Sequence, residues 1–174
     1  MSILKVARMG HPVLRSHARP LDPPDIRSGS VQKLIDDMFD TLAEYQGIGL
    51  AAPQVHESLR LFVAGIDGDG ELLPKMVFIN PELTPLTETM EEDWEGCLSI
   101  PDVRGRVARV QEVRVRALDR EGKTVDMTAN GFPARVIQHE IDHLNGILFL
   151  DRMKSFDSLT FVEEYSRYLA EQGE

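Results

Sequence analysis

Apolar positions recur at two periods along this chain, and the change of period marks its elements. From about Val31 the residues Val31, Leu34, Ile35, Met38, Phe39 and Leu42 fall at spacings of three and four, the stripe of an amphipathic helix. Ser28 or Ser30 offers a side-chain oxygen to cap its start, and Gly47 can end it. A second helical stretch carries Val136, Ile137, Ile141 and Leu144, with Pro133 suited to a first turn and Asn145-Gly146 as a stop signal. A third, Ser158 to Glu171, sets Leu159, Val162, Tyr165 and Leu169 on one side. Between the helices the pattern changes. Arg60 to Ile66 and Lys75 to Asn80 read as strands joined by an Asp67-Gly68-Asp69-Gly70 turn. Val107 to Leu118 alternates as one strand, with Val107, Val110, Val113, Val115 and Ala117 set against Arg and Glu positions. Residues 120–122 turn, and Thr124 to Thr128 pairs back as a hairpin. Residues 1–30 read as irregular, punctuated by Gly10-His11-Pro12, Arg19-Pro20 and Asp22-Pro23-Pro24. Helix, many strands, helix, helix is the order of an α+β fold with mostly antiparallel sheets.

Chemistry concentrates in the second helical stretch. Gln138-His139-Glu140-Ile141-Asp142-His143 contains H-E-x-x-H. Positions four apart share a helix face, so His139 and His143 can share one metal ion, and Glu140 is placed to act as general base toward a water held there. The chain has only five histidines, so this spacing is hard to reach by accident. The expected architecture is therefore sheets packed around a central metal-binding helix carrying H-E-x-x-H, with one N-terminal and one C-terminal helix. No linker or repeat divides residues 1–174, which read as a single domain.

Two histidines need a third ligand. A histidine six residues after His143 would make a metzincin, but that position is Phe149. Glu163, with Glu164 beside it, lies at a spacing that permits a thermolysin-like peptidase. Cys97, the one cysteine, offers a thiolate that suits iron or zinc and leaves a fourth position open. A lone cysteine is more often an inert buried residue, so the residues alone leave both routes open. Gly47-Ile48-Gly49-Leu50-Ala51-Ala52-Pro53-Gln54 allows close backbone approach but lacks the lysine of a phosphate loop. Gln54 could face a developing negative charge, and a tight packed turn accounts for the stretch equally well. Asp67 and Asp69 lack the rest of an EF-hand loop.

The net charge of −10 argues against direct nucleic-acid binding. One cysteine permits no internal disulfide, and the first eight residues show no leader pattern. No stretch is apolar for long enough to span a membrane. These features together set the expectation of a cytoplasmic protein.

Three stretches together resemble the signature motifs of the peptide deformylases, and in the same order. They are Gly47 to Gln54, Glu95-Gly96-Cys97-Leu98-Ser99, and Gln138 to His143. The resemblance implies an enzyme that hydrolyses the N-formyl group from the formyl-methionine of newly synthesised polypeptides and releases formate. It implies Cys97, His139 and His143 as metal ligands, Glu140 as the base, and Gln54 with the Leu98 backbone N–H as oxyanion donors. The metal it implies is Fe2+, one per chain, with Ni2+, Co2+ or Zn2+ as substitutes. Ile48, Gly49 and Val136 are expected to border the substrate, and Arg104 to help bind the peptide, although a surface salt bridge fits Arg104 as well. Glu95 is a candidate to orient a histidine ligand. The expected partners are formyl-methionyl nascent peptides. The acidic tail, with Glu163, Glu164, Glu171 and Glu174, suits a transient ribosome contact poorly. A non-catalytic module that recognises formylated N-termini is the other alternative, and Glu140 disfavours it.

Overall fold

The computed structural model describes residues 2–65 and 73–170. The expected turn at Asp67 to Gly70, together with Ile66, Glu171 and Glu174, lies outside them. A short helix α1 (Pro23–Ile26) leads into α2 (Gly29–Glu44). Ser28 caps α2 by accepting a hydrogen bond from the Val31 backbone N–H. Strands β1 (Gly49–Ala51), β2 (Leu61–Ala64), β3 (Met76–Pro85), β4 (Met90–Cys97), β5 (Ile100–Val110), β6 (Glu112–Leu118) and β7 (Thr124–Asn130) follow. Then come α3 (Gly131–Leu144), α4 (Phe149–Arg152), the two-residue β8 (Thr160–Phe161) and α5 (Val162–Tyr168).

The strands form two antiparallel sheets, one in the order β1-β2-β3-β6-β7 and the other β4-β5-β8. The larger sheet is covered on both faces, which explains why β2 is apolar at every position. Leu61 and Val63 face α2, joining Val77, Ile79, Ile35, Met38 and Leu42. Phe62 and Ala64 point the other way, joining Phe78, Val113, Val115 and the α3 residues Ile137, Ile141 and Leu144. Helix α3 also meets β5 of the smaller sheet, so it lies between the two sheets and buries most of its surface. Gly146 ends it with a φ of +73°. The Gly146 and Ile147 backbone N–H groups donate to His143 and Asp142 carbonyls, the pairing of a Schellman cap.

Several expectations need correction. The fold is α+β with antiparallel sheets, but the metal site is not an H-E-x-x-H helix motif. The ligand-competent cluster is Cys97, His139 and His143, so one donor comes from the end of β4 and two come from α3. Two positions four apart exhaust what a single helix face can aim at one point. Val107 to Leu118 is not one strand, because Gln111 separates β5 from β6. The three-residue step from Val107 to Val110 already broke the alternation. Strand β3 does not stop at Asn80 but passes through a bulge, where Asn80 has a φ of +50°. Its side-chain amide makes two hydrogen bonds to the Leu21 backbone, which hold the bulge. The acidic stretch after it contains β4, which the apolar pattern could not reveal because its first four residues are exposed. The terminal helix is shorter than expected and begins at Val162.

Candidate active site

Cys97, His139 and His143 bring one sulfur and two ring nitrogens within 4.8 Å of one another. Cys97 ends β4, where the register with β5 shifts between Gly96 and Cys97. The shift turns its side chain toward α3, and the thiol sulfur lies 3.2 Å from His143 Nε2. His139 Nδ1 lies 2.9 Å from Glu95 Oε2. That contact places the proton on Nδ1 and frees Nε2 for the cluster. The donor set, one thiolate and two imidazoles, fits a transition metal with an open position. Burial works against the Cys97 thiolate, but the charges and hydrogen bonds of His143 and His139 outweigh it and hold the thiol well below its ordinary value.

Glu140 points into the same space. It is 4% exposed, and among the described residues its Oε2 has no hydrogen-bond partner. Burial pushes its carboxyl up to about 7 against the opposing pull of the two histidines. An unpartnered buried carboxylate is costly unless it has work to do. Gly49 of edge strand β1 lies directly against it. A Cβ at Gly49 would come within 2.7 Å of the Glu140 carboxyl carbon and 2.8 Å of its Cγ. The glycine is there because the glutamate occupies the space a side chain would need.

Gln54 is aimed the same way. The Ala51 backbone N–H donates to Gln54 Oε1 at 2.8 Å, fixing which end of the amide faces the site. Nε2 then points toward Ser99 Oγ at 3.3 Å and Cys97 Sγ at 3.5 Å. A cavity of about 590 Å³ opens beside the cluster. Gln54, Cys97, Leu98, His139 and Glu140 line its floor, and Ile48, Gly49, Arg104 and Val136 line its sides. His143 lies behind, buried, with Nδ1 unpartnered among the described residues. Glu95, the candidate to orient a histidine, lines the cavity as well, and His143 sits behind its wall. Glu163 and Glu164 do not join the cluster: they pair with Arg167 on α5.

Sequence reasoning missed the support beneath the site. Arg109 is buried, donating to both Glu95 oxygens at 2.8 and 2.9 Å and to Asp142 at 2.6 Å. Arg135 donates to Glu95 at 2.9 Å, and Arg152 to Asp142 at 2.7 Å. Glu95 is held down to about 2: burial would raise it, but Arg109 and His139 prevail. One signal was available. Arg109 shares strand parity with Val107 and Gly105, the inward positions of β5, and a charge at an inward position calls for a buried partner.

A profile of the polypeptide deformylase family matches residues 3–158. The chain belongs to the polypeptide deformylase family. Peptide deformylase 1 of Nitrosomonas europaea is 45% identical over 166 residues, 92% of this chain and 93% of that protein. Peptide deformylase of Stutzerimonas stutzeri is 46% identical over 155 residues, 89% of each. Among solved structures, a class I type b peptide deformylase from Acinetobacter baumannii with Met-Ala-Ser bound superposes with a TM-score of 0.83. It is 39% identical, covering 88% of this chain and 100% of that one. The Thermotoga maritima enzyme gives 0.81 at 36% identity, covering 89% and 100%. Membership makes this chain a metal-dependent hydrolase that removes the N-formyl group from nascent polypeptides. No helix among the described residues is long and apolar enough to cross a membrane.

Proposed function

We propose that the whole chain, residues 1–174, acts as one cytoplasmic catalytic domain that removes formate from the N-terminal formyl-methionine of nascent chains. The observation that carries this reading is the placement of an unpartnered buried Glu140 carboxylate beside a thiolate–imidazole cluster at the floor of an open cavity. Cys97, His139 and His143 hold one Fe2+, for which Ni2+, Co2+ or Zn2+ can substitute. When bound, the metal supplies a Lewis acid that acidifies water and polarises the formyl carbonyl.

The chain's own residues do the rest. Glu140 takes the proton from the attacking water and delivers it to the leaving amine. A carboxyl near 7 suits a group that must both accept and return a proton. The Gln54 amide and the Leu98 backbone N–H donate to the oxyanion, each worth about 3 kcal/mol at the transition state. Glu95 holds the His139 ring in one tautomer. Ile48, Leu98 and Val136 wall the slot for the methionine side chain. Strand β1 is the edge of its sheet, so Gly49 can offer main-chain pairing to an extended peptide of any later sequence. Arg104 stands beside that path. The relative from Acinetobacter baumannii with Met-Ala-Ser bound supports a tripeptide-length occupant. A single cysteine serving as metal ligand suits a reducing compartment. A transient meeting with the ribosome belongs to the same reading, since a net charge of −10 leaves room for a local basic patch.

The test uses protein purified without oxygen. Metal per chain and formate release from a formyl-methionyl peptide are measured on wild type, Cys97→Ser and Glu140→Ala. Wild type should hold about one iron and release formate. Cys97→Ser should lose both, and Glu140→Ala should keep metal and lose at least about 100-fold in kcat. Metal retained by Cys97→Ser would move the third ligand elsewhere, and near-normal turnover by Glu140→Ala would remove it as the base.

A further inference from the structure

The mouth of the cavity has a charge opposite to that of the molecule. The chain carries −10 overall, yet Lys5, Arg8 and Arg104 all line this opening. Lys5 and Arg8 are exposed, and none of the three has a carboxylate partner among the described residues. Elsewhere arginines are mostly committed: Arg15, Arg109, Arg114, Arg120, Arg135, Arg152 and Arg167 each bond a carboxylate. Among the described residues, three carboxylates line the cavity. Glu95 is spent on Arg109, Arg135 and His139, and Glu140 is buried at the floor. Among the described residues only Asp102 is an exposed carboxylate there, so the described lining of the mouth has a net positive charge.

The backbone beneath two of these cations is fixed, and the third is held by a contact of its own side chain. The Ala7 backbone N–H donates to the Gln54 carbonyl at 2.7 Å, and the Met9 N–H to the Ser99 carbonyl at 2.8 Å. Residues 5–9 are thereby tied to the two segments that carry the oxyanion donor and the metal thiolate. Arg104 pairs with Gly96 on β4 and Thr160 on β8, and its guanidinium lies 5.2 Å from the centre of the Tyr165 ring. A guanidinium held on an aromatic face keeps its edge donors available.

We propose that this mouth selects among formylated chains by charge, favouring acidic side chains in the residues that follow the first. The proposal rests on the functional reading above, since it takes the cavity as the peptide path. Lys5 and Arg8 are then specificity-determining residues, Arg104 acts with them, and Tyr165 positions Arg104. Exposed ion pairs are individually weak, but changing one substrate side chain from cationic to anionic reverses its interaction with all three cations. The effect should be about five- to tenfold in kcat/KM.

The experiment compares formyl-Met-Ala-Glu-Ala amide with its Gln and Lys counterparts on iron-loaded enzyme at low and high salt. Amidation removes the terminal carboxylate, so only the side chain carries the charge. The expected order is Glu, Gln, Lys, expressed in KM. It should shrink to within about twofold at roughly 1 M salt, where charges are screened beyond ~3 Å. The double variant K5Q/R8Q should lose most of the Glu-to-Lys ratio while retaining wild-type metal content. Formate released equally from all three peptides, or fastest from the Lys peptide, overturns the inference and leaves deformylation standing. A Glu preference that survives K5Q/R8Q undiminished overturns the assignment to these residues. Formate from none of the three sinks the functional reading, and this inference with it.

Discussion

At the residue scale, the contact between Gly49 and Glu140 ties a backbone position to the proposed general base. Gly49 has an ordinary backbone, so its constraint is space alone: any Cβ would push into the Glu140 carboxyl. Gly49→Ala should therefore fold and bind metal as wild type does, while Glu140 is displaced from its position. General acid–base catalysis is worth about 10²–10⁴-fold, so kcat should fall by about 100-fold with metal content unchanged. Steady-state kinetics and metal analysis on the same preparation check this. A variant with normal kcat would show that the glutamate tolerates displacement. The glycine was visible in the sequence as a site of close approach, but nothing local could say what approaches it. Its neighbour in space is 91 positions away, and that pairing exists only after β1 and α3 have packed. Gln54 was legible in the same limited way. Its residue type suggested an amide donor, but its aim depends on the Ala51 N–H fixing the other end of the amide.

At the scale of elements, periodicity worked where one face is dry and the other wet. Helix α2 and the β6–β7 hairpin follow their patterns closely for that reason. Strand β4 has a mostly exposed surface, and β5 crosses from rim to core along its length, so neither gave a clean alternation. The same two strands carry the charged cluster that fixes the site. Arg109 of β5 joins Glu95 of β4 to Asp142 of α3, and Arg152 of α4 joins from outside. Removing one member of a buried ion network leaves charges without compensation, at about 3–5 kcal/mol. Arg109→Met keeps the apolar stem and deletes the fork, so it should destabilise the chain toward the lower end of that range. Denaturant unfolding would read the loss as a lower midpoint at constant m-value. Because Glu95 also orients His139, the variant should hold its metal less tightly, by about tenfold or more. An unchanged midpoint would mean that Arg135 and Arg152 alone satisfy both carboxylates.

At the scale of the whole molecule, the chain is acidic, with 29 Asp and Glu against 19 Lys and Arg, so its stability toward acid depends on which carboxylates are held ionised. Most of them lie on the surface, where partners contribute little. Glu95 is one of the buried exceptions, with Asp37, Glu140 and Asp142. Its folded-state value of about 2 stands against an ordinary 4.5: burial would raise it, and Arg109 and His139 together bring it down. A group depressed in the folded state contributes stability that is fully present above its unfolded value. That stability is lost as the pH falls through the folded value. The window for Glu95 therefore runs from about pH 4.5 down to about pH 2. Within it the unfolded chain binds a proton that the folded chain refuses, so unfolding free energy should fall by up to about 1.4 kcal/mol per pH unit from this group. Glu95→Gln keeps the shape and an acceptor oxygen while removing the titration. The variant should start less stable at pH 6, since Arg109 and Arg135 lose their anion, yet show a shallower decline between pH 4.5 and 2. Parallel slopes in wild type and variant, measured by denaturant unfolding across that range, would place the acid sensitivity in other carboxylates.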